Sequence, residues 1–159
     1  MKLQQWIKQN QLGLLFQQGS FGLEKESQRI DENGNIVTTP HPTVFGNRTY
    51  HPYIQTDFAE SQLELITPPN GKLEDSLRWL SAIHEVVLRS LPEQEFIFPF
   101  SMPAGLPPES VIQEAQLDNV EDVKYREHLS QNYGKYKQMV SGIHYNFQLS
   151  PEFVNAVFC

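Results

Sequence analysis

The chain has 159 residues and a formal net charge of -7, from 12 lysines and arginines against 19 aspartates and glutamates. This length suits one domain that buries roughly 70% of its unfolded surface, and 39% hydrophobic with 11% aromatic residues excludes a disordered chain. The acidic balance, without a basic stripe, argues against a nucleic-acid partner. The single cysteine, Cys159, excludes an internal disulfide and a cysteine-based zinc site.

The first two predicted elements are a helix and a strand. Apolar residues of segment 3–18 fall on one side of a helix, and a Gly-Ser pair ends it. Residues 21–29 alternate as a strand does, so that successive side chains point to opposite faces. The Asn-Gly pair in the following turn is a hairpin signal, and the prolines of segment 36–53 predict a loop.

The middle of the chain predicts two strands and a long helix. Residues 54–58 and 61–67 have an extended pattern. Segment 72–91 carries an apolar stripe at helical spacing with a proline after it, which makes it the clearest helix. We also expect a short helix over 110–116 and a charged helix over 121–137.

The last predicted elements are a strand and a helix. Residues 138–149 alternate again, and Ser150-Pro151-Glu152 starts a helix with a serine cap, a first-turn proline and an acid. An apolar run follows without a closing residue, so we expect residues 1–159 to be an incomplete portion of a larger domain, truncated at the C-terminus. The order of elements indicates an α+β fold, a mainly antiparallel sheet with packing helices.

The start of the chain predicts no targeting signal. Its polar residues interrupt any apolar core of a signal peptide, and no stretch approaches the ~20 apolar residues of a membrane span. We therefore expect a cytoplasmic protein without a membrane partner.

Polar side chains recur on one face of three predicted strands, each opposite an apolar face. Residues two apart in a strand share a face, so three such strands in one sheet would line one cavity. Two further acids, Asp57 and Glu60, precede the second of these polar ladders. The ladders are Glu24 with Glu26, Gln62 with Glu64, and His144 with Asn146 and Gln148.

Two interpretations of the ladders stay open at this point. Half-buried antiparallel strands commonly turn polar side chains to water. Clustered carboxylates, however, are unfavourable to bury unless a cation lies among them, and oxygen ligands with one imidazole suit Mg²⁺ or Mn²⁺. Because carboxylates usually bind Mg²⁺ to present nucleotide phosphates, the functional hypothesis is an ATP–metal site on one face of the sheet.

The ladders lie within longer strings that resemble the bacterial glutamate–cysteine ligases. Residues 21–29, FGLEKESQR, are similar to the opening strand motif of that family, and residues 56–68, TDFAESQLELITP, to a second motif. YRE at 125–127 and SGIHYNF at 141–147 follow in the family's order. These variants most resemble the N-terminal part of ligases fused to a glutathione synthetase module, and the resemblance extends from about residue 12 to the end of the chain.

The resemblance implies a glutamine-synthetase-like ligase fold and an ATP-dependent carbon–nitrogen ligase. Such an enzyme joins the γ-carboxylate of glutamate to the amine of cysteine through a γ-glutamyl phosphate. The product is γ-glutamylcysteine, in the first step of glutathione biosynthesis. The implied cofactor is Mg²⁺ or Mn²⁺, and the implied small-molecule partners are glutamate, cysteine and the co-substrate ATP.

The resemblance also implies site residues. The family's cysteine-pocket positions match Phe58 and Tyr125, and we add Asn146 from the third ladder as a predicted substrate-binding residue. No catalytic residue is assigned beyond the metal ligands. The metal-binding positions of the family match Glu24, Glu26, Asp57, Glu64 and His144.

Family ligase domains are much longer than this chain. The resemblance therefore implies, as further partners, the remainder of the ligase domain and a glutathione synthetase module, and we expect the chain alone to be inactive. Two alternatives stay open: a related carboxylate–amine ligase with another amine substrate, and a catalytically silent binding or regulatory subunit of the same fold.

Overall fold

One long strand, β1 (Gly19–Ile30), forms the centre of a five-stranded sheet. The computed structural model describes residues 2–102 and 105–158. Its shorter strands are β2 (Ile54–Thr56), β3 (Gln62–Ile66), β4 (Phe96–Ile97) and β5 (Ile143–Leu149). The order is β2-β3-β1-β4, β5 also pairs with β1, and all of these pairings are antiparallel. The predicted α+β fold with a mainly antiparallel sheet is therefore confirmed.

Helices precede, cover and follow the sheet. They are α1 (Leu3–Gln9), α2 (Gly13–Gln17), α3 (Leu73–Ser90), α4 (Val120–Tyr133), α5 (Lys135–Gln138) and α6 (Pro151–Phe158), with a 3₁₀ turn at Thr43–Phe45. Within the described ranges, no helix is long and apolar enough to cross a membrane.

Helix α3 packs on the apolar side of the sheet, as its stripe predicts. Ile83 and Val87 from the helix are buried with Leu63 and Leu65 from β3 in the main core cluster. Since alternate residues of a strand face opposite ways, Gln62 and Glu64 point to the other side of the sheet. The helix thus determines which face of the sheet is left for polar side chains.

The predicted helix over 3–18 is wrong in one respect, because the structure divides it into α1 and α2. Gln11 between them has φ 54°, the left-handed backbone conformation, which a continuous right-handed helix does not accommodate. The predicted helix over 121–137 is likewise divided, at Gly134 with φ 80°.

The predicted helix over 110–116 is also wrong, because this segment forms turns and an isolated bridge. Its backbone groups bond to the loop before β3 instead of to one another. The N–H of Ala115 donates to the Phe58 carbonyl at 2.8 Å, and the N–H of Glu60 donates to the Gln113 carbonyl at 2.9 Å. Tertiary hydrogen bonds override a weak local preference.

Helix α6 begins where its cap predicts. The N–H of Phe153 donates to Oγ of Ser150 at 3.1 Å, and the Phe153 ring packs edge-on against Phe16 with centroids 5.3 Å apart. The predicted helix extends to Cys159, which lies outside the described residues.

Candidate functional site

The three predicted ladders lie on one face of one sheet. Glu26 on β1 pairs in register with Glu64 on β3, and Glu24 pairs with His144 on β5. Side chains of directly opposed residues share a face, with Cβ atoms about 5 Å apart. The polar face is defined here as Glu24, Glu26, Gln28, Gln62, Glu64, His144, Asn146 and Gln148, which belong to β1, β3 and β5.

Hydrogen bonds connect the acids of β1 to β5. The Nε2–H of His144 donates to Oε1 of Glu26 at 2.8 Å, and the backbone N–H of Gly142 donates to Oε2 of Glu26 at 2.8 Å. The amide of Asn146 donates to Oε1 of Glu24 at 2.9 Å. Both carboxylates are therefore oriented by the strand that carries His144.

Negative charge accumulates on this face. Burial, followed by the charges of Asp57, Glu24 and Glu26, raises the pKa of Glu64 to about 7. Burial and then the Glu26 charge raise the pKa of Asp57. The hydrogen bond and charge of Glu26 raise the pKa of His144. Burial is the largest cause of the raised pKa values of Asp57 and Glu64, and the clustered carboxylates add to it, while Glu26 favours the protonated form of His144.

Asp57 is held beside the face by backbone contacts. It follows β2, and its N–H donates to the Gln62 carbonyl at 3.1 Å. Nε of Arg126 on α4 donates to the Asp57 carbonyl at 2.6 Å. The Arg126 charge opposes the rise in the Asp57 pKa, so α4 supplies a positive charge close to this acid.

The predicted substrate-binding residues lie in three different environments. Asn146 is on the polar face, bonded to Glu24. Phe58 is 3% exposed and packs with Ala59, Ile112 and Met139 in the second core cluster. Tyr125 is 60% exposed on α4, next to Arg126. The structure thus brings Asn146 to the face and leaves the Phe58 ring in the core.

A cleft of about 520 Å³ opens at one end of the polar face. Glu24, Asn146 and Gln148 supply polar groups to its wall, and Tyr53 and Ile66 supply apolar surface. A cleft of this volume, with few polar groups among apolar ones, has the size of a small-molecule site.

The donor set on this face fits a hard cation. Carboxylate oxygens with one imidazole suit Mg²⁺ or Mn²⁺, and the charges of Asp57, Glu24 and Glu26 contribute, after burial, to the raised pKa of Glu64. Across residues 2–102 and 105–158, however, no three carboxylate, imidazole or thiol side chains converge as the ligands of a single ion would. The ligand set Glu24, Glu26, Asp57, Glu64 and His144 stays a prediction.

Asp57 and Glu60, which the sequence places together before the second ladder, lie in different surroundings in the structure. Glu60 lies away from the polar face: its carboxylate accepts the N–H groups of His41 and Gln116 and pairs with Arg48.

One residue beside the polar face was not among the predicted residues. Gln55 on β2 is directly opposite Glu64, so its side chain is on the same side of the sheet. Gln55 lies between Ile54 and Thr56, which are both buried, and this alternation along β2 could have predicted that Gln55 faces the polar side.

Comparison with known proteins gives one family. Residues 4–158 match the family described as glutamate-cysteine ligase. The bifunctional glutathione biosynthesis protein of Pasteurella multocida is 75% identical over 99% of this chain and 21% of its own length. That of Mannheimia succiniciproducens is 69% identical over the same shares. The chain thus spans about a fifth of the length of these relatives.

Solved structures agree with this match. The crystal structure of a bifunctional glutathione synthetase from Pasteurella multocida has a TM-score of 0.89 at 74% identity, covering 99% of this chain and 21% of that one. A glutamate–cysteine ligase from Francisella tularensis in complex with AMP has a TM-score of 0.82 at 32% identity, covering 88% of this chain and 29% of that one.

Proposed function

Because the chain belongs to the glutamate–cysteine ligase family, we propose that its polar face is one wall of an active site for ATP-dependent ligation of glutamate to cysteine. The reaction would join the glutamate γ-carboxylate to the cysteine amine through γ-glutamyl phosphate, beginning glutathione biosynthesis. The observation that carries the proposal is the register that brings Glu24, Glu26, Glu64 and His144 onto one face. A surface that only met water would not need to hold its acids in so repulsive an arrangement.

In this proposal Mg²⁺ or Mn²⁺ would be held by Glu24, Glu26, Asp57, Glu64 and His144. The metal would neutralise the oxygens of the phosphates, which is how divalent ions assist phosphoryl transfer. The chain's own residues orient the ligands: Gly142 and His144 bind the two oxygens of Glu26, and Asn146 binds Glu24.

Substrate contacts would come from the cleft and from α4. Asn146 lines the cleft next to Glu24, and the exposed ring of Tyr125 lies beside the residue that binds Asp57. Phe58, whose ring is buried, would support this wall from within the core. Positioning an amine against an activated acyl group is the main contribution that a binding wall makes.

The relatives are about five times longer than the part that this chain matches, so the rest of the site would come from the remainder of a ligase domain. A glutathione synthetase module is the further partner that the bifunctional relatives suggest. The isolated chain should therefore bind metal without turnover.

Metal binding by the chain itself tests this proposal first. We expect Mn²⁺ to broaden NMR resonances of the polar face, and Glu64→Gln to weaken that effect about tenfold. Glu85→Gln, on the exposed outer side of α3, is the control and should leave Mn²⁺ binding unchanged. Equal Mn²⁺ broadening across the whole surface would contradict a site.

Activity tests the reaction. A full-length ligase containing this segment should release phosphate from ATP with glutamate and cysteine, and Glu64→Ala or His144→Ala should abolish most of that release. Normal activity in either variant would remove that residue from the site. Greater turnover with another amine would indicate the related ligase, and metal binding without turnover in the full-length protein would indicate a silent subunit.

A further inference from the structure

Two glutamines face each other across the sheet at one end of the polar face. Gln28 on β1 is opposite Gln62 on β3, and both residues are 0% exposed. Burying an amide is unfavourable unless its polar atoms form hydrogen bonds. The partners of these two amides therefore indicate what the glutamines hold in place.

Both amides donate to the segment that leads into β5. Nε2 of Gln28 donates to the Met139 carbonyl at 3.1 Å, and Nε2 of Gln62 donates to the Val140 carbonyl at 3.1 Å. Oγ of Ser61 donates to Oε1 of Gln28 at 2.8 Å, which leaves the Gln28 amide nitrogen to face Met139. Two strands thus bind two consecutive carbonyls of one segment.

The same segment orients Glu26. Gly142 exchanges two hydrogen bonds with Glu26: its N–H donates to Oε2 at 2.8 Å, and its carbonyl accepts the Glu26 N–H at 3.0 Å. Two residues later, Nε2 of His144 reaches Oε1 of Glu26 at 2.8 Å. The register of β5 on β1 stops at Ile143 opposite Lys25, so residues 139–142 lie beyond that register.

We propose that Gln28 and Gln62 are positioning residues, which hold residues 139–142 against the sheet so that Gly142 and His144 orient the Glu26 carboxylate. The importance of this anchoring for ligation rests on the proposed function, but the anchoring of residues 139–142 does not. The contact between Ser141 N–H and the Ser101 carbonyl, at 2.8 Å, holds the segment from its other side. Neither glutamine touches Glu26 through a hydrogen bond of its own, so each acts through the segment.

Methionine substitutions test the anchoring, because they keep the side-chain length and remove the amide donor. In Gln28→Met and Gln62→Met, hydrogen exchange at the Gly142 amide should accelerate about tenfold, as expected for losing one buried hydrogen bond of roughly 1.4 kcal/mol. Gln55→Met is the matched control, since Gln55 on β2 is opposite Glu64 but its amide donates locally to the His51 carbonyl at 2.8 Å.

The pattern of exchange distinguishes positioning from general destabilisation. Acceleration confined to Gly142, with the amides of α3 unchanged, supports the proposal. Equal acceleration at all amides, no change at Gly142, or the same change in Gln55→Met overturns it. If Gln28→Met does not fold, Ser61→Ala removes only the hydroxyl that orients Gln28, and acceleration of two- to threefold at Gly142 is then expected.

Mn²⁺ separates this proposal from the proposed function. The parent chain should show broadening of the His144 ring by Mn²⁺, and Gln62→Met should weaken it. Absence of broadening in the parent would contradict the metal site, while the exchange data would still decide the anchoring. Unchanged exchange with equal broadening in parent and variants would overturn the anchoring and leave the metal site supported.

Discussion

Charged residues occupy both sides of the sheet, and the two sides neutralise them differently. The Arg29 cluster, defined here as Arg29, His41, Arg48, Glu60 and Glu95, pairs its charges: buried Arg29 forms an ion pair with Glu95, and Glu60 pairs with Arg48. The polar face has acids on two strands, β1 and β3, and one imidazole, which is bonded to Glu26. Removing one partner of a buried ion pair is strongly destabilising, whereas acids clustered without a cation are typical of functional sites.

Glu60 and Glu64 show the contrast over four residues of chain. The Glu60 carboxylate accepts backbone N–H groups from His41 at 2.8 Å and Gln116 at 2.7 Å, in addition to its arginine. Glu64 has other carboxylates as its electrostatic neighbours, and its pKa is raised to about 7. Both residues are glutamates, so only their surroundings distinguish Glu60, which is paired with an arginine, from Glu64, which lies among other acids.

The largest expected effect is the loss of Arg29. Its guanidinium donates to the carbonyls of Thr39, Pro40 and Glu60 at 2.7, 3.1 and 2.9 Å besides pairing with Glu95. Arg29→Met leaves these acceptors and a buried carboxylate without their donor, so the free energy of unfolding should fall by about 3–5 kcal/mol in urea titrations.

The control for this loss is Arg78→Met, which removes an exposed ion pair with Asp75. That change should alter the free energy of unfolding by less than about 0.5 kcal/mol. If both variants are equally stable, the Arg29 cluster does not support the fold and the comparison between the two sides fails.

Sequence alternation was sufficient to predict the polar ladders, since two-residue periodicity places Glu24 with Glu26 whatever the strand order. It could not predict that β5 pairs with β1 rather than with another strand, because pairing across more than one hundred residues leaves no local pattern. The Arg29 cluster was missed for the same reason: Glu95 and Thr39 are distant in sequence. The left-handed backbone of Gln11 could not be predicted either, because glycine is the residue that usually marks this conformation. The division of the first helix was therefore missed.

The second prediction concerns His41 in the Arg29 cluster. Burial, then the nearby charges of Arg48 and Arg29, lowers the pKa of His41 to about 4. The unfolded chain then takes up this proton first as the pH falls, so the free energy of unfolding should decrease from about pH 6.5 to pH 4, by up to about 3 kcal/mol. His41→Gln should remove this slope in unfolding curves measured at several pH values. A slope that persists in the variant would assign it to another group.

The smallest expected effect has the opposite sign and comes from Glu64. Because its pKa is higher in the folded chain, the folded state keeps the proton that the unfolded state releases between about pH 4.5 and pH 7. Its contribution therefore falls as the pH rises through that window, by about 1 kcal/mol once the partial exposure of the side chain is allowed for. Glu64→Gln should be more stable than the parent at pH 8 and equal to it at pH 4.

The two slopes oppose each other over much of the same pH range, so the stability of the parent should rise less steeply with pH than that of Glu64→Gln. Glu64→Gln should expose the rise in stability with pH that His41 causes, and His41→Gln should expose the fall that Glu64 causes. Mn²⁺ adds a further distinction: at pH 8 it should stabilise the parent and His41→Gln, but should have less effect on Glu64→Gln, since that variant lacks the charge the cation would neutralise. If the free energy of unfolding changes with pH in the same direction in Glu64→Gln and His41→Gln, the two sides of the sheet do not differ in how they hold charge.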